Sequence, residues 1–238
     1  MASVTLVILC YNEKENLIKN EKRIEELEKA FLGSCEFSVL FEEDGSRDGS
    51  KKIIQGFADR HKNWTSVHSK RRLGKGGGLN LAMANVDSDH IIISDADLPI
   101  RTNDYVKLYK TMRKKKADAV IINRYHRDSH TKVPLKRRIL SRGYNLLIRT
   151  LFFIDLSDTQ CGVKGFKSDS LRIALPKHAK RYTMDVEILY RMKRNKMTVL
   201  EIPAKYTHGT NSKFKIFSDT MSMLGETIAL RAKTLGKE

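Results

Sequence analysis

"HIIISDADLPI", residues 90 to 100, sets three isoleucines directly against two carboxylates, Asp95 and Asp97. A short β-branched run of this kind reads as a buried strand, and the acids mark where it leaves the core. The runs on either side repeat the pattern. "VTLVILC" is followed by the helical "ENLIKNEKRIEELEKAFL", "EFSVLFEED" by "GSKKIIQGFADRH", and "TSVHS" by "GGLNLAMANV"; beyond the isoleucine strand come "NDYVKLYKTMRKKK" and "DAVIINR". Strands alternating with helices at this pitch predict βαβ units and an α/β fold, a mostly parallel sheet flanked by helices. In the first helix Leu17, Ile24, Leu27 and Phe31 recur at near-helical spacing among charged residues, the pattern of a surface helix packed on a sheet.

After about residue 125 the alternation fails. A basic stretch "RYHRDSHTKVPLKRRILSRGYN" leads to a helix ending near Ile154, a loop "DLSDTQCGVKGF", a helix from about Asp185, a strand "TVLEIPAKYTH" and an amphipathic C-terminal helix. With no repeat, low-complexity tract or linker, the 238 residues are expected to form one domain. Its first half would run to about 125, its second to about 212, and the C-terminal helix would occupy 213–238.

Lys and Arg outnumber Asp and Glu by 45 to 28, a formal net charge of +17, so the expected partner is anionic: nucleic acid, an anionic membrane surface or a phosphorylated substrate. Aromatics are only 8% of residues and no nucleic-acid-binding motif is present, which disfavours a basic nucleic-acid-binding protein. Cys10, Cys35 and Cys161 form no C-x-x-C pair, so neither a disulfide framework nor a zinc site is expected, and a reducing compartment fits best. Residues 4–10 lack the basic flank and length of a signal peptide, and "LLIRTLFFI" is broken by Arg149, so no membrane span is expected.

Open parallel sheets bind ligands beyond the carboxyl ends of their strands. Here those ends are polar: Tyr11-Asn12-Glu13, Glu43-Asp44-Gly45-Ser46, Asp95-Ala96-Asp97 and Asn123-Arg124. Asp95 and Asp97, two residues apart at a strand end, suit a shared divalent cation; the alternative is that Asp97 caps the next helix. Glu43 and Asp44 suit ribose or base hydrogen bonds, and Asp44-Gly45 is also ordinary turn chemistry, with Asp48 or Ser46 as cap for the helix near Lys51. In "RRLGKGGGLN" the glycines and Lys75 suit a phosphate at a helix start, although the run is not a Walker A loop.

Taken together, "VILCYNEKENL", "EEDGSRDGS", "SDADLP", the basic region, "DTQCGVKGF", "MDVEIL" and "SKFKIF" resemble, in order and spacing, the inverting family 2 glycosyltransferases with a GT-A fold, of the dolichyl-phosphate (polyprenyl-phosphate) sugar transferase type. "DTQCGVKGF" and "MDVEIL" are most similar to the dolichyl-phosphate glucosyltransferase branch. Glu43 replaces the usual first Asp, and Pro99 stands where mannose-transferring relatives often carry a third polar metal ligand, which also favours glucose.

The resemblance implies transfer of a hexose from a nucleotide sugar, UDP-glucose or alternatively GDP-mannose, to a polyprenyl or dolichyl phosphate, at the cytoplasmic face of a membrane. Mg²⁺ or Mn²⁺ would sit on Asp95 and Asp97. Tyr11, Asn12, Glu13, Glu43, Asp44, Lys75, Asp95, Ala96 and Lys213 would bind the nucleotide sugar, with Lys213 over the diphosphate. Arg124, Arg137 and Ser141 would hold the acceptor phosphate, Gln160, Asp185 and Glu187 the sugar, and Asp97 and Asp185 are the catalytic candidates. Asp185 and Glu187, two apart on a helix, cannot both face the site. A hydroxyl of a lipid-linked glycan is the alternative acceptor; it needs a carboxylate base, whereas a lipid phosphate already carries its negative charge.

Overall fold

The structure is a computed structural model; the residues it describes are 1–131, 135–179, 181, 183–206 and 216–235. In chain order the elements are β1 (Ser3–Cys10), α1 (Lys14–Phe31), β2 (Glu36–Glu43), α2 (Ser50–Arg60), β3 (Trp64–His68), α3 (Gly74–Met83), β4 (His90–Asp95), α4 (Thr102–Lys115), β5 (Ala119–Ile122), β6 (His130–Thr131) and α5 (Leu135–Phe152), followed by β7 (Lys164–Lys167), α6 (Ser168–Ala174), α7 (Met184–Arg194), β8 (Val199–Ile202), β9 (Lys205–Tyr206) and α8 (Ile216–Leu235). Seven strands form the main sheet in the order β3-β2-β1-β4-β7-β5-β8, and β6 pairs with β9 beside it.

All main-sheet pairings are parallel except those of β7, which runs antiparallel to both β4 and β5. That inserted strand is where the regular alternation breaks down. Its first residue, Lys164, lies opposite Ile93 and Ile121, so the loop entering β7 reaches the same edge as the carboxyl ends of the parallel strands.

Side chains alternate across the strands. Val4, Leu6 and Ile8 of β1 join Val39 and Phe41 of β2 under α1, α2 and α4, in a core that includes Phe31, Phe57, Trp64 and Tyr105. Val7, Leu40, Ile91 and Ile93 face the other way, against Leu79, Met83, Leu171, Ile188 and Met192 of α3, α6 and α7. Each such side chain contributes about 1.5–3 kcal/mol on burial. A third cluster, with Tyr144, Ile148 and Phe152 of α5, Leu189 of α7 and Leu230 of α8, packs beside Ile121. The expected strand over residues 198–208 is two pieces, β8 and β9, with Pro203 between them, because proline cannot donate to a ladder.

Candidate active site

Asp95 ends β4 and a turn follows, with Leu98 in the left-handed region at φ 46° and its amide donating to the Asp95 carbonyl at 3.1 Å. Helix α1 fastens this turn. Asn20, buried on the same face as Leu17 and Ile24, donates from Nδ2 to the Ala96 carbonyl at 2.9 Å, and Arg23 donates to the Ile100 carbonyl at 3.1 Å. Tyr105 Oη and Ser94 Oγ share a hydrogen bond of 2.7 Å beneath it. Asp97 is not a helix cap, since α4 begins at Thr102 with Arg101 in the cap position. Ala96 is buried with its carbonyl accepting from Asn20, which supports the turn.

Lys75 Nζ meets Asp95 Oδ1 at 2.5 Å. Burial opposes ionisation of both partners, yet Lys75, with Lys164 and Arg124 behind it, holds Asp95 below the ordinary carboxylate range, and Asp95, with Asp185 and Asp97, raises Lys75. The other Asp95 oxygen faces Gly162, where an added Cβ would collide with Oδ2. With Asp95 held in this position a glycine is needed there, because the β7 entry loop closes directly over the β4 carboxylate. Oxygen donors of this kind, in reach of a bare backbone, fit a hard divalent cation.

Lys164 is buried, with Nζ donating to the Cys161 carbonyl and, at 2.7 Å, to Asp185 Oδ1 in the first turn of α7. Neither Gly162 nor Lys164 is among the expected site residues. "GVKGF" shows both, but β7's direction, which brings them to the site, is not written in a local pattern. Gln160 joins the same loop, its Nε2 buried and without a hydrogen-bond partner among the described residues.

Several expected contact residues are engaged within the protein. Arg124 is turned onto Asp158: Nε and Nη2 meet its two oxygens at 2.7 and 2.9 Å and the Arg124 amide adds a third bond. Glu187 accepts from the successive amides of Lys177, His178 and Ala179, at 2.9, 3.0 and 2.6 Å, and so anchors that loop. Asp44 accepts from the amides of Leu73 and Gly74, so the start of α3 is already capped by the protein's own carboxylate. The glycine run serves packing: an added Cβ at Gly78 would collide with the Glu42 carboxyl. Lys75, rather than those amides, is what this segment offers the site.

Glu43 accepts from the Ser46 amide and stands 3.5 Å from His68 Nδ1. Asn12, at φ 55°, donates its amide to Ser46 Oγ and accepts from the Arg47 amide on Oδ1; Asx residues tolerate this left-handed geometry. Glu13 starts α1, its amide bound to Ser50 Oγ, and Asp48, expected as a cap, accepts from the amides of Lys14 and Ser50. Tyr11 lies under the Arg72 guanidinium at 3.9 Å. Ser141 accepts from Tyr125 Oη on the inner side of α5. Lys213 and the side chain of Arg137 lie outside the described residues.

Residues 5–173 match the model of the glycosyl transferase family 2. The chain belongs to that family. It is a glycosyltransferase with the GT-A fold. Over 222 residues this family 2 enzyme is 29% identical to the glycosyltransferase AglD of Haloferax volcanii, covering 92% of the chain but only 35% of that protein. It is 28% identical to the dolichyl-phosphate beta-glucosyltransferase ALG5D of Trichomonas vaginalis, covering 90% of the chain and 68% of the relative. Among solved structures, glucosyl-3-phosphoglycerate synthase from Mycobacterium tuberculosis, in complex with Mn²⁺ and UDP-glucose, superposes with a TM-score of 0.71 at 14% identity, covering 97% of this chain and 79% of that one.

Proposed function

We propose that this family 2 enzyme transfers glucose, with inversion, from UDP-glucose to a polyprenyl or dolichyl phosphate. The observation that carries the reading is how the carboxylates at the site are engaged: Asp95 is bonded to Lys75, and Asp185 to the buried Lys164. A hydroxyl acceptor requires a carboxylate ready to take its proton. Asp185 Oδ1 is already engaged by Lys164 Nζ at 2.7 Å, whereas an acceptor that arrives as an oxyanion needs cations instead. Lys75, Lys164 and Arg124 supply positive potential around Asp95. The names of curated relatives support the lipid phosphate and glucose.

Asp95 and Asp97 would hold Mg²⁺ or Mn²⁺, which when bound offsets the charge of the departing diphosphate. Glu43, Asp44 and the Tyr11–Glu13 turn shape the nucleotide side, and Lys75 keeps Asp95 ionised. Gln160, with its buried amide nitrogen, suits a sugar hydroxyl, and Ser141 with Arg137 and Lys213 suit the phosphates. Asp185 orients Lys164 and through it the loop over Asp95. Membrane association follows from the lipid acceptor.

Purified protein is incubated with UDP-glucose, a detergent-solubilised polyprenyl phosphate and Mn²⁺ or Mg²⁺. The expected result is UDP release with formation of a glucosylated lipid; turnover with GDP-mannose alone, or none with either donor, rejects the proposal. Asp185→Asn is expected to keep measurable transfer to the lipid phosphate, and its complete loss would favour the hydroxyl acceptor.

A further inference from the structure

Helices α5 and α8 lie side by side, joined by a 2.7 Å hydrogen bond between Tyr144 Oη and Thr227 Oγ1 and by Leu230 in the cluster of Ile148 and Phe152. Those inward residues account for one face of each helix. The opposite faces carry large apolar side chains in water: Ile139, Leu146 and Phe153 are 62%, 61% and 67% exposed, and Met221 and Ile228 are 56% and 62% exposed. Ile139 and Leu146, like Met221 and Ile228, are seven residues apart, close to two helical turns, so each pair lies on one outward stripe, and Phe153 follows directly after the end of α5. With Leu140, these helices and the residue after α5 hold six of the ten exposed large hydrophobics among the described residues, which makes this a patch and not scatter.

The patch has a charged border. Arg138, Arg142 and Arg149 are exposed along one side of the α5 stripe, and Lys193 and Arg231 approach the Phe153 ring to 5.8 and 5.9 Å. Against them stand Asp155, paired with Arg149 at 2.8 Å, and Glu226 on α8. Apolar stripes edged by arginine match the boundary between lipid headgroups and acyl chains. A second copy of the chain fits less well, because two such faces would set the same arginines against each other on molecules of net charge +17.

We infer that α5 and α8 dock this chain on an anionic lipid bilayer, Ile139, Leu146, Phe153, Met221 and Ile228 entering the interface while the arginines rest on lipid phosphates. The inference rests on the proposed lipid acceptor for its choice of partner. It also gives that acceptor a route: Ser141 is on the inner side of the helix whose outer side meets the lipid.

The full chain is sedimented with vesicles of phosphatidylcholine alone and with vesicles of phosphatidylcholine and phosphatidylglycerol in equal parts. The expected result is salt-sensitive binding to the mixed vesicles, at least ~10-fold weaker for Leu146→Glu/Ile228→Glu. That variant should keep the wild-type melting temperature and its transfer to detergent-solubilised acceptor, since both side chains are already in water. Arg138→Ser/Arg149→Ser is expected to lose the salt-sensitive part of binding. Wild-type protein left in the supernatant, variants that bind as tightly as wild type, or a dimer that only Leu146→Glu/Ile228→Glu dissolves would each overturn the inference. Failure of detergent-phase transfer by the wild type instead strikes the proposed reaction.

Discussion

At the end of β2 and in the turn that follows it the acids are held by backbone amides: Asp44 by Leu73 and Gly74, Glu43 by Ser46, Asp48 by Lys14 and Ser50. Around β7 the charges hold each other, Arg124 with Asp158 and Lys164 with Asp185, and Glu187 is the exception that caps a loop. The two arrangements differ in what they tolerate. A carboxylate on amides is a local turn device, and its removal costs a cap. A buried ion pair is two desolvated charges that remain acceptable only together.

The sharpest way to break that contrast is Asp158→Ala, which leaves the Arg124 guanidinium buried without its fork partner. A loss of about 3–5 kcal/mol is expected by urea unfolding, and Arg124→Met/Asp158→Leu should recover much of it. If the single variant costs no more than a lost helix cap, about 1 kcal/mol, the pair does not constrain the fold. Next comes Gly162→Ala. Its methyl would press on Asp95 Oδ2, and since an ångström of misplacement at a reacting centre costs on the order of 100-fold, kcat should fall that far while the melting temperature barely moves. An unchanged kcat would mean that Asp95 does not need its present position.

The smallest effect concerns Glu42, which points from β2 into α3 with Oε1 buried and unpartnered among the described residues. Burial first, then the charges of Asp44 and Glu43, push its carboxyl up to about 8. Unfolded, it ionises near the ordinary 4.5. Between those values the folded chain keeps a proton that the unfolded chain has lost, so stability falls as pH rises from about 5 to 8 and levels off above. Glu42→Gln should flatten that slope, since the amide carries no proton to lose over this range. Chemical unfolding across this range checks it, and parallel slopes for the two proteins would show that Glu42 is ionised throughout.

The same contrast marks what can be read from residues alone. Strands β1 to β5, their helices and the acids at their ends follow from hydrophobic runs and turn residues, all within a few positions of one another. Asp95 and Asp97 are legible in that way. Arg124 and Asp158 are 34 residues apart and Lys164 and Asp185 are 21 apart, and their pairing depends on β7 entering between β4 and β5 in reverse. Nothing local in "DTQCGVKGF" states a strand's direction. Arg124 therefore reads as an open claw, and Lys164 as one more basic residue. The loop that Glu187 anchors is hidden for a related reason, since only the fold brings residues 177–179 over it.

The reversed strand also bears on how the chain comes to exist as a molecule. β5 pairs with β7 and β8 and not with β4, so a nascent chain that has emerged only to about residue 125 holds a strand with neither neighbour and leaves one edge of β4 bare. Exposed edges of that kind invite pairing with other chains. A cut at that point, inviting as it looks for separating donor from acceptor functions, would yield an aggregation-prone fragment in place of a nucleotide-binding module.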